Sequence, residues 1–99
     1  MSDFWILEGH TPKPVESLEE WAKHFERTNR QIGDTDVGGV RISTVFLGVD
    51  HQHFDGPPLL FETMIFGGEH DQYQERCSTW AQAEAQHEAA CALVRGNRQ

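Results

Sequence analysis

The chain has 99 residues, of which 37% are hydrophobic and 24% are charged, and its formal net charge at pH 7 is −8. A chain of this length supports one two-layer core, so we expect a single domain over residues 1–99 and exclude a separate cofactor-binding domain. The chain contains eight Lys and Arg residues and sixteen Asp and Glu residues. Direct nucleic-acid binding is therefore not expected, because it depends on clustered basic side chains.

The cysteines and the chain start bear on the cellular compartment. Cys77 and Cys91 form neither a CxxC motif nor a disulfide framework, and we expect both thiols to be packed rather than bridged. The start MSDFWILEGH has no basic segment followed by an apolar one, and no apolar run of 18 residues occurs. These features predict a cytoplasmic protein that does not contact a membrane.

The first part of the chain predicts an edge strand, a helix and a turn. An apolar run at residues 4–7 precedes Pro12 and Pro14, which we expect to end any regular element. Ser17 and Glu20 have the spacing of a capping box and open an amphipathic helix over about residues 17–30. Glycines and aspartates in residues 33–39 then have the chemistry of a turn.

Three strands and a second helix fill the rest of the chain. Residues 40–49 and 59–66 are rich in β-branched and aromatic side chains, and residues 72–77 alternate in polarity, so each segment predicts a strand. Thr79 and Gln82 form a second capping box before a helix with one apolar stripe. The stripe consists of Trp80, Ala83, His87, Ala90, Cys91 and Val94.

The predicted order, β-α-β-β-β-α, defines an α+β fold. We expect an antiparallel sheet of three to four strands with two helices packed on one face. The side chains expected in the core are Trp21, Phe25, Phe46, Phe61, Ile65, Trp80 and Val94.

The loop Asp50-His51-Gln52-His53-Phe54-Asp55-Gly56-Pro57-Pro58 is the candidate binding site. It lies in a span between Arg41 and Arg76 that contains no Lys or Arg. Imidazoles and carboxylates bind divalent metals, so this loop and the next turn could supply the ligands of a metal site. The candidate binding residues are Asp50, His51, His53, Asp55, Glu62, His70 and Asp71. A solvated loop anchored by Phe54 is the simpler interpretation, and the metal itself is not specified.

His87 is the one imidazole on an apolar helix stripe. A buried ring that donates to a backbone carbonyl is the simpler interpretation, and a catalytic base is the alternative. Neither Cys77 nor Ser43 is surrounded by the sequence motif of a nucleophile. The glycine pairs at 38–39 and 67–68 do not precede helices as a phosphate-binding loop does. We therefore assign no catalytic residue and expect no cofactor.

The segments RISTVFLGVDH, GPPLLFETMIFGG and CSTWAQAEAQHEAA carry a resemblance over about residues 38–94. In these segments the chain resembles a family of small uncharacterised proteins encoded by bacteriophages and prophages. The family combines the strand, the DH-containing loop, the GPPLLFETM strand and a final helix with a similarly placed His. The resemblance implies a phage or prophage origin and a role in the cytoplasm of the bacterial host, without implying an activity.

These observations favour a non-enzymatic protein-interaction module. Its partner could be a host protein, whose basic nucleic-acid surface an acidic domain would occupy, or a second copy of the chain in a homo-oligomer. The alternative is a small metal-binding or catalytic domain that uses residues 50–55.

Overall fold

The computed structural model describes residues 3–52 and 55–96 and confirms an α+β fold. The elements in chain order are β1 (Phe4–Glu8), β2 (Thr11–Val15), α1 (Leu18–Arg27), β3 (Gln31–Val37), β4 (Val40–Phe46), β5 (Phe61–Phe66), β6 (Gln74–Cys77) and α2 (Trp80–Gly96). β1 and β2 form a two-stranded antiparallel sheet. β3 to β6 form a four-stranded antiparallel sheet in sequential order.

β2 contains both prolines that we expected to end regular structure. Pro12 pairs with Leu7 and Pro14 pairs with Trp5. Hydrogen bonds alternate along an antiparallel pair, so two prolines spaced by two residues can both turn their nitrogens away from β1. The same spacing places both prolines on the outer edge of the hairpin, where a strand tolerates them.

α1 begins as predicted but packs on a different partner. The Ser17 hydroxyl accepts a hydrogen bond from the Glu20 N–H at 3.2 Å, which confirms the helix start. The helix ends at Arg27 rather than near Arg30, whose guanidinium lies 3.9 Å above the centre of the Phe25 ring. α1 packs against β1 and β2. The hairpin that we did not predict therefore receives the apolar face of α1, and α2 is the helix that packs on the four-stranded sheet.

β3 occupies the segment that we expected to be a turn. The chain turns at Gly38 and Gly39, which have φ of 58° and 88° and form a two-residue hairpin connection. Asp34 instead lies in β3 and accepts a hydrogen bond at 3.0 Å from the Arg41 Nε–H on β4. A polar edge strand is compatible with this position because one face of the sheet meets solvent.

α2 covers its sheet through two apolar clusters. One contains Leu7, Phe46, Leu60, Phe61, Cys77 and Ala83, and the other contains Val37, Ile42, Ile65, Ala90, Cys91 and Val94. The expected core residues Phe46, Phe61, Ile65 and Val94 are buried, whereas Trp21, Phe25 and Trp80 are only half-buried. Leu7 brings the hairpin into the first cluster, so the two sheets share a core. Both cysteines are free and buried.

Candidate functional site

The described part of the predicted binding loop is organised by Asp50. Its Oδ1 accepts hydrogen bonds from the N–H of Gln52 at 2.8 Å and from the N–H of Leu59 at 3.0 Å. The His51 N–H donates to the Leu59 carbonyl at 3.1 Å. The Asp50 carboxylate therefore closes the base of the loop. Asp55 is exposed on the loop, whereas His53 and the expected anchor Phe54 lie outside the described residues.

The other predicted binding residues lie elsewhere on the sheet. His70 and Asp71 follow β5, whereas the loop precedes it. At 3.3 Å per residue, β5 separates these two residues from the loop by about 20 Å. The Asp71 carboxylate accepts the Gly67 N–H at 2.7 Å and shapes its own turn. Glu62 lies on β5 and accepts a hydrogen bond from Arg76 at 3.0 Å. Within residues 3–52 and 55–96, no three His, Cys, Asp or Glu side chains are grouped to hold a metal ion.

A hydrogen-bonded chain through His87 joins α2 to three strands. The imidazole Nε2 lies 2.8 Å from the Thr35 hydroxyl on β3, and Nδ1 lies 2.8 Å from the Thr44 hydroxyl on β4. The Thr44 hydroxyl is 2.7 Å from the Thr63 hydroxyl on β5, which donates to Gln86 Oε1 at 3.2 Å. The expected backbone carbonyl partner of His87 is replaced by two threonine hydroxyls.

The directions of these hydrogen bonds follow from the donor at Thr63. Because its proton points to Gln86, the Thr44 hydroxyl donates to Thr63 and accepts from His87 Nδ1–H. His87 Nε2 then accepts from the Thr35 hydroxyl. The network is thus satisfied by a neutral imidazole with its proton on Nδ1. In the sequence, the only sign of this network is that each of the four elements has a polar residue on the face that packs in the core.

The environment of His87 favours that neutral form. Burial lowers the pKa of His87, and the nearby carboxylates of Glu88 and Asp34 oppose this shift. Gly33 leaves room for the ring, because a Cβ at this position would lie 2.8 Å from imidazole atoms. The arrangement pairs a hydroxyl with a base, but its third group is the uncharged Thr44, which stabilises an imidazolium less than a carboxylate would. We conclude that this hydrogen-bonded chain of side chains fixes the position of α2 on the sheet.

Cys77 is not poised as a nucleophile. Its thiol is buried in the first core cluster, and burial raises its pKa to about 11. A thiol with a raised pKa is protonated near neutral pH, and the thiolate is the reactive form. Cys77 therefore acts as a packing residue.

On the sheet face opposite α2, charged side chains form ion pairs with one another. Arg41 bonds to Asp34 at 3.0 Å, and Arg76 bonds to Glu62 at 3.0 Å. Phe66 adds a ring that is 39% exposed, with the Arg41 guanidinium 5.7 Å from its centre. Because these charged groups are partnered within the sheet, this face offers few unsatisfied groups to a ligand.

A surface depression lies between β6 and α2, and we call it the β6–α2 cleft. It has a volume of about 530 Å³. Its lining includes Leu59 and Cys77 from the sheet side and Ala85 and Ala89 from α2, with Glu75 at the strand. Ala85 and Ala89 are exposed. The cleft therefore combines two short alanine side chains and several polar ones, Arg76 and Gln86 among them, with the edge of the sheet that is free among the described residues, a combination that the sequence did not predict.

Two further findings bear on the identity of the chain. Among the described residues, no helix combines the length and the apolar character needed to span a membrane. No protein family, curated protein or solved structure matches this chain.

Proposed function

We propose that the protein is a non-enzymatic module that binds a protein partner through the β6–α2 cleft. The observation that carries the proposal is the cleft itself, where an uncovered strand edge lies beside exposed alanines of α2. The side chains that suggested chemistry have structural partners instead, as Asp50 and His87 illustrate. A surface for a macromolecule is therefore better supported than a reaction centre.

The size of the cleft argues for a transient interaction. β6 has four residues, which span about 13 Å at 3.3 Å per residue. Stable complexes usually bury about 800 Å² on each partner, and interfaces well below that size are weak. We infer an interaction that forms and dissociates readily.

The setting of this function rests on the sequence resemblance described above. We propose a phage- or prophage-encoded protein that acts in the cytoplasm of a bacterial host and binds a host protein. The net charge of −8 supports a partner with a basic surface. A homodimer is the second form of protein binding consistent with the proposal.

Affinity capture with a matched pair of variants tests the proposal. Ala89→Trp fills the cleft, whereas Ala81→Trp adds the same ring to an exposed position of α2 outside the lining. We expect the unaltered protein and Ala81→Trp to retain the same protein from a bacterial lysate, and Ala89→Trp to lose it. Retention by all three proteins, or by none, would contradict binding at the cleft.

A metal site in the loop is the second proposal, because the loop sequence contains imidazole and carboxylate groups, the types of ligand that bind divalent metals. Zinc binding to the native state would raise the free energy of unfolding by about 3 kcal/mol at a hundredfold excess over the dissociation constant. Thermal unfolding with and without zinc measures this change. An unchanged midpoint, together with no zinc by elemental analysis, would retire the proposal.

A further inference from the structure

β6 ends the four-stranded sheet with backbone groups that face outward. The Ile65 N–H donates to the Tyr73 carbonyl at 3.1 Å. Bonded positions alternate along an antiparallel pair, so Glu75 and Cys77 also bond toward β5. The N–H and C=O groups of Gln74 and Arg76 then point away from the sheet. No strand lies beside them among the described residues, so β6 can receive a fifth strand.

The cleft has room for the side chains of such a strand. Side chains alternate between the two faces of a sheet, so every second residue of an added strand would face α2. On that side the cleft offers Leu59, Cys77, Ala85 and Ala89. Because the alanines are short, they leave space for small apolar side chains next to the edge.

Two charged residues line the cleft, Glu75 and Arg76, and Arg76 is paired with Glu62. Glu75 pairs with Thr63, whose hydroxyl is bonded to Gln86 of α2, so Glu75 lies on the α2 side of the sheet. Its side chain is exposed and accepts a hydrogen bond from the Tyr73 hydroxyl. An added strand would place one residue directly opposite Glu75, and a Lys or Arg is favoured there.

The same charges disfavour a second copy of this chain as the added strand. Two antiparallel copies of β6 must place residues of the same sheet face opposite each other. A register that bonds Gln74 to Arg76 of the other copy also places two Glu75 side chains opposite each other. The register centred on Arg76 does the same with two Arg76 side chains. The register centred on Gln74 opposes no like charges, but it overlaps the two β6 strands by a single residue. Directly opposed like charges destabilise a strand pair in the other two registers, so a different, basic segment fits better.

We propose that the β6–α2 cleft binds an extended segment of a protein partner as a fifth strand, with a Lys or Arg opposite Glu75 and small apolar residues two positions to either side. This inference rests on the proposed function, because it names the partner of the same cleft. The binding mode is strand addition to a sheet edge, in which backbone hydrogen bonds supply affinity and alternate side chains supply specificity.

The test uses the complete protein, labelled with ¹⁵N, and the synthetic peptide acetyl-Val-Thr-Lys-Thr-Val-amide at millimolar concentration. With Lys opposite Glu75, both valines face the cleft and the two threonine amides face Gln74 and Arg76. We expect saturable shifts in the backbone amide signals of residues 74–77 and of Ala85 and Ala89. Methylating the backbone nitrogens of both threonines should abolish the shifts. Methylating the backbone nitrogen of the lysine should leave the shifts unchanged, because that N–H points away from β6.

Charge variants test the role of Glu75. Replacing the peptide lysine by glutamate should weaken binding about fivefold or more. Glu75→Gln should bind both peptides with similar affinity, and its spectrum without peptide reports whether the fold is intact. Shifts outside the cleft, or shifts that survive methylation of the threonine nitrogens, would overturn the proposal. Chemical shifts of residues 74–77 that depend on protein concentration alone would identify a second copy as the occupant and also overturn it.

The peptide and the capture experiment can fail separately. If the peptide does not bind while Ala89→Trp still loses a cellular partner that Ala81→Trp retains, strand addition is wrong and the binding function stands. If both experiments fail, the proposed function falls with the inference.

Discussion

At the scale of single residues, His87 couples the stability of the fold to pH. Burial lowers its pKa below the ordinary value of 6.5. As the pH falls through about 6.5, the unfolded chain takes up a proton at this position before the folded chain does. The unfolded state then binds more protons, so the free energy of unfolding decreases. The decrease ends when the pH is below the lowered pKa of the folded state.

We therefore expect His87→Gln to remove part of this acid sensitivity. The free energy of unfolding, measured by urea denaturation between about pH 8 and pH 5.5, should fall less in the variant than in the unaltered protein. His24→Gln is the control, because His24 is exposed on α1, and it should keep the original decrease. An unchanged decrease in His87→Gln would show that other groups cause the acid sensitivity.

Gly33 is required by the same ring. A Cβ at this position would lie 2.8 Å from His87 Nδ1 and Cε1, so we expect Gly33→Ala to cost about 1–3 kcal/mol of stability, as overpacked cores do. In a His87→Ala background the added methyl group should cost much less, because the clash is gone. Gly96→Ala, where a Cβ meets nothing within 4 Å, is the control. Additive effects of the two substitutions would disprove the steric explanation.

At the scale of elements, local hydrogen bonds set where segments begin and end. The reciprocal bonds between Thr79 and Gln82, each 3.1 Å, confirm the predicted start of α2. Asp50 has a similar function in the loop, where one carboxylate oxygen holds the N–H groups of Gln52 and Leu59. These bonds need an acceptor and not a charge.

The requirement for an acceptor predicts different effects of two substitutions at Asp50. Asp50→Ala leaves two N–H groups without their acceptor and should cost about 1–3 kcal/mol. Asp50→Asn keeps a carbonyl oxygen in the same place and should cost less than about 1 kcal/mol. Chemical denaturation without metal compares them. Equal losses in the two variants would show that the charge of Asp50 matters.

At the scale of the whole molecule, the hairpin with α1 and the four-stranded sheet with α2 share one apolar cluster. Leu7 from β1 packs with Phe46 and Phe61 in that cluster, and His10 stacks on Trp80 with ring centres 3.8 Å apart. The Trp21 indole N–H also donates to the Gly48 carbonyl at 2.8 Å. Neither part buries its apolar surface alone, so we infer that they unfold together.

Cooperative unfolding can be checked with two signals. Tryptophan fluorescence reports on Trp5 and Trp21 in the N-terminal part as well as on Trp80, whereas circular dichroism at helix wavelengths is dominated by α2, the longer helix. We expect coincident urea transitions for the two signals. Leu7→Ala should shift both midpoints equally. A fluorescence transition at lower urea than the circular dichroism transition would mean that the hairpin and α1 unfold first.

Prediction from the sequence succeeded where a signal lies within a few neighbouring residues. Both capping boxes and the apolar stripe of α2 were identified in this way. So were the strands predicted at residues 40–49 and 59–66, which in the structure are shorter and span Val40–Phe46 and Phe61–Phe66. β2 and β3 were missed because their sequences, TPKPV and QIGDTDV, have poor strand propensity. Their strand conformation depends on partners across the sheet. Of the binding residues predicted from composition, His70 and Asp71 lie at the far end of β5 from the loop.

The sequence by itself determined the α+β class, the two helices and part of the core, including Phe46, Phe61 and Ile65, because helix caps and hydrophobic periodicity act over about one turn or one strand. Only the tertiary structure decided which helix covers the sheet, what surrounds His87 and where a strand edge remains open. Those features join residues far apart in the chain, such as Thr35 with His87. A threonine in a strand has the same local pattern whether it faces water or a half-buried imidazole, and only the packed fold distinguishes the two.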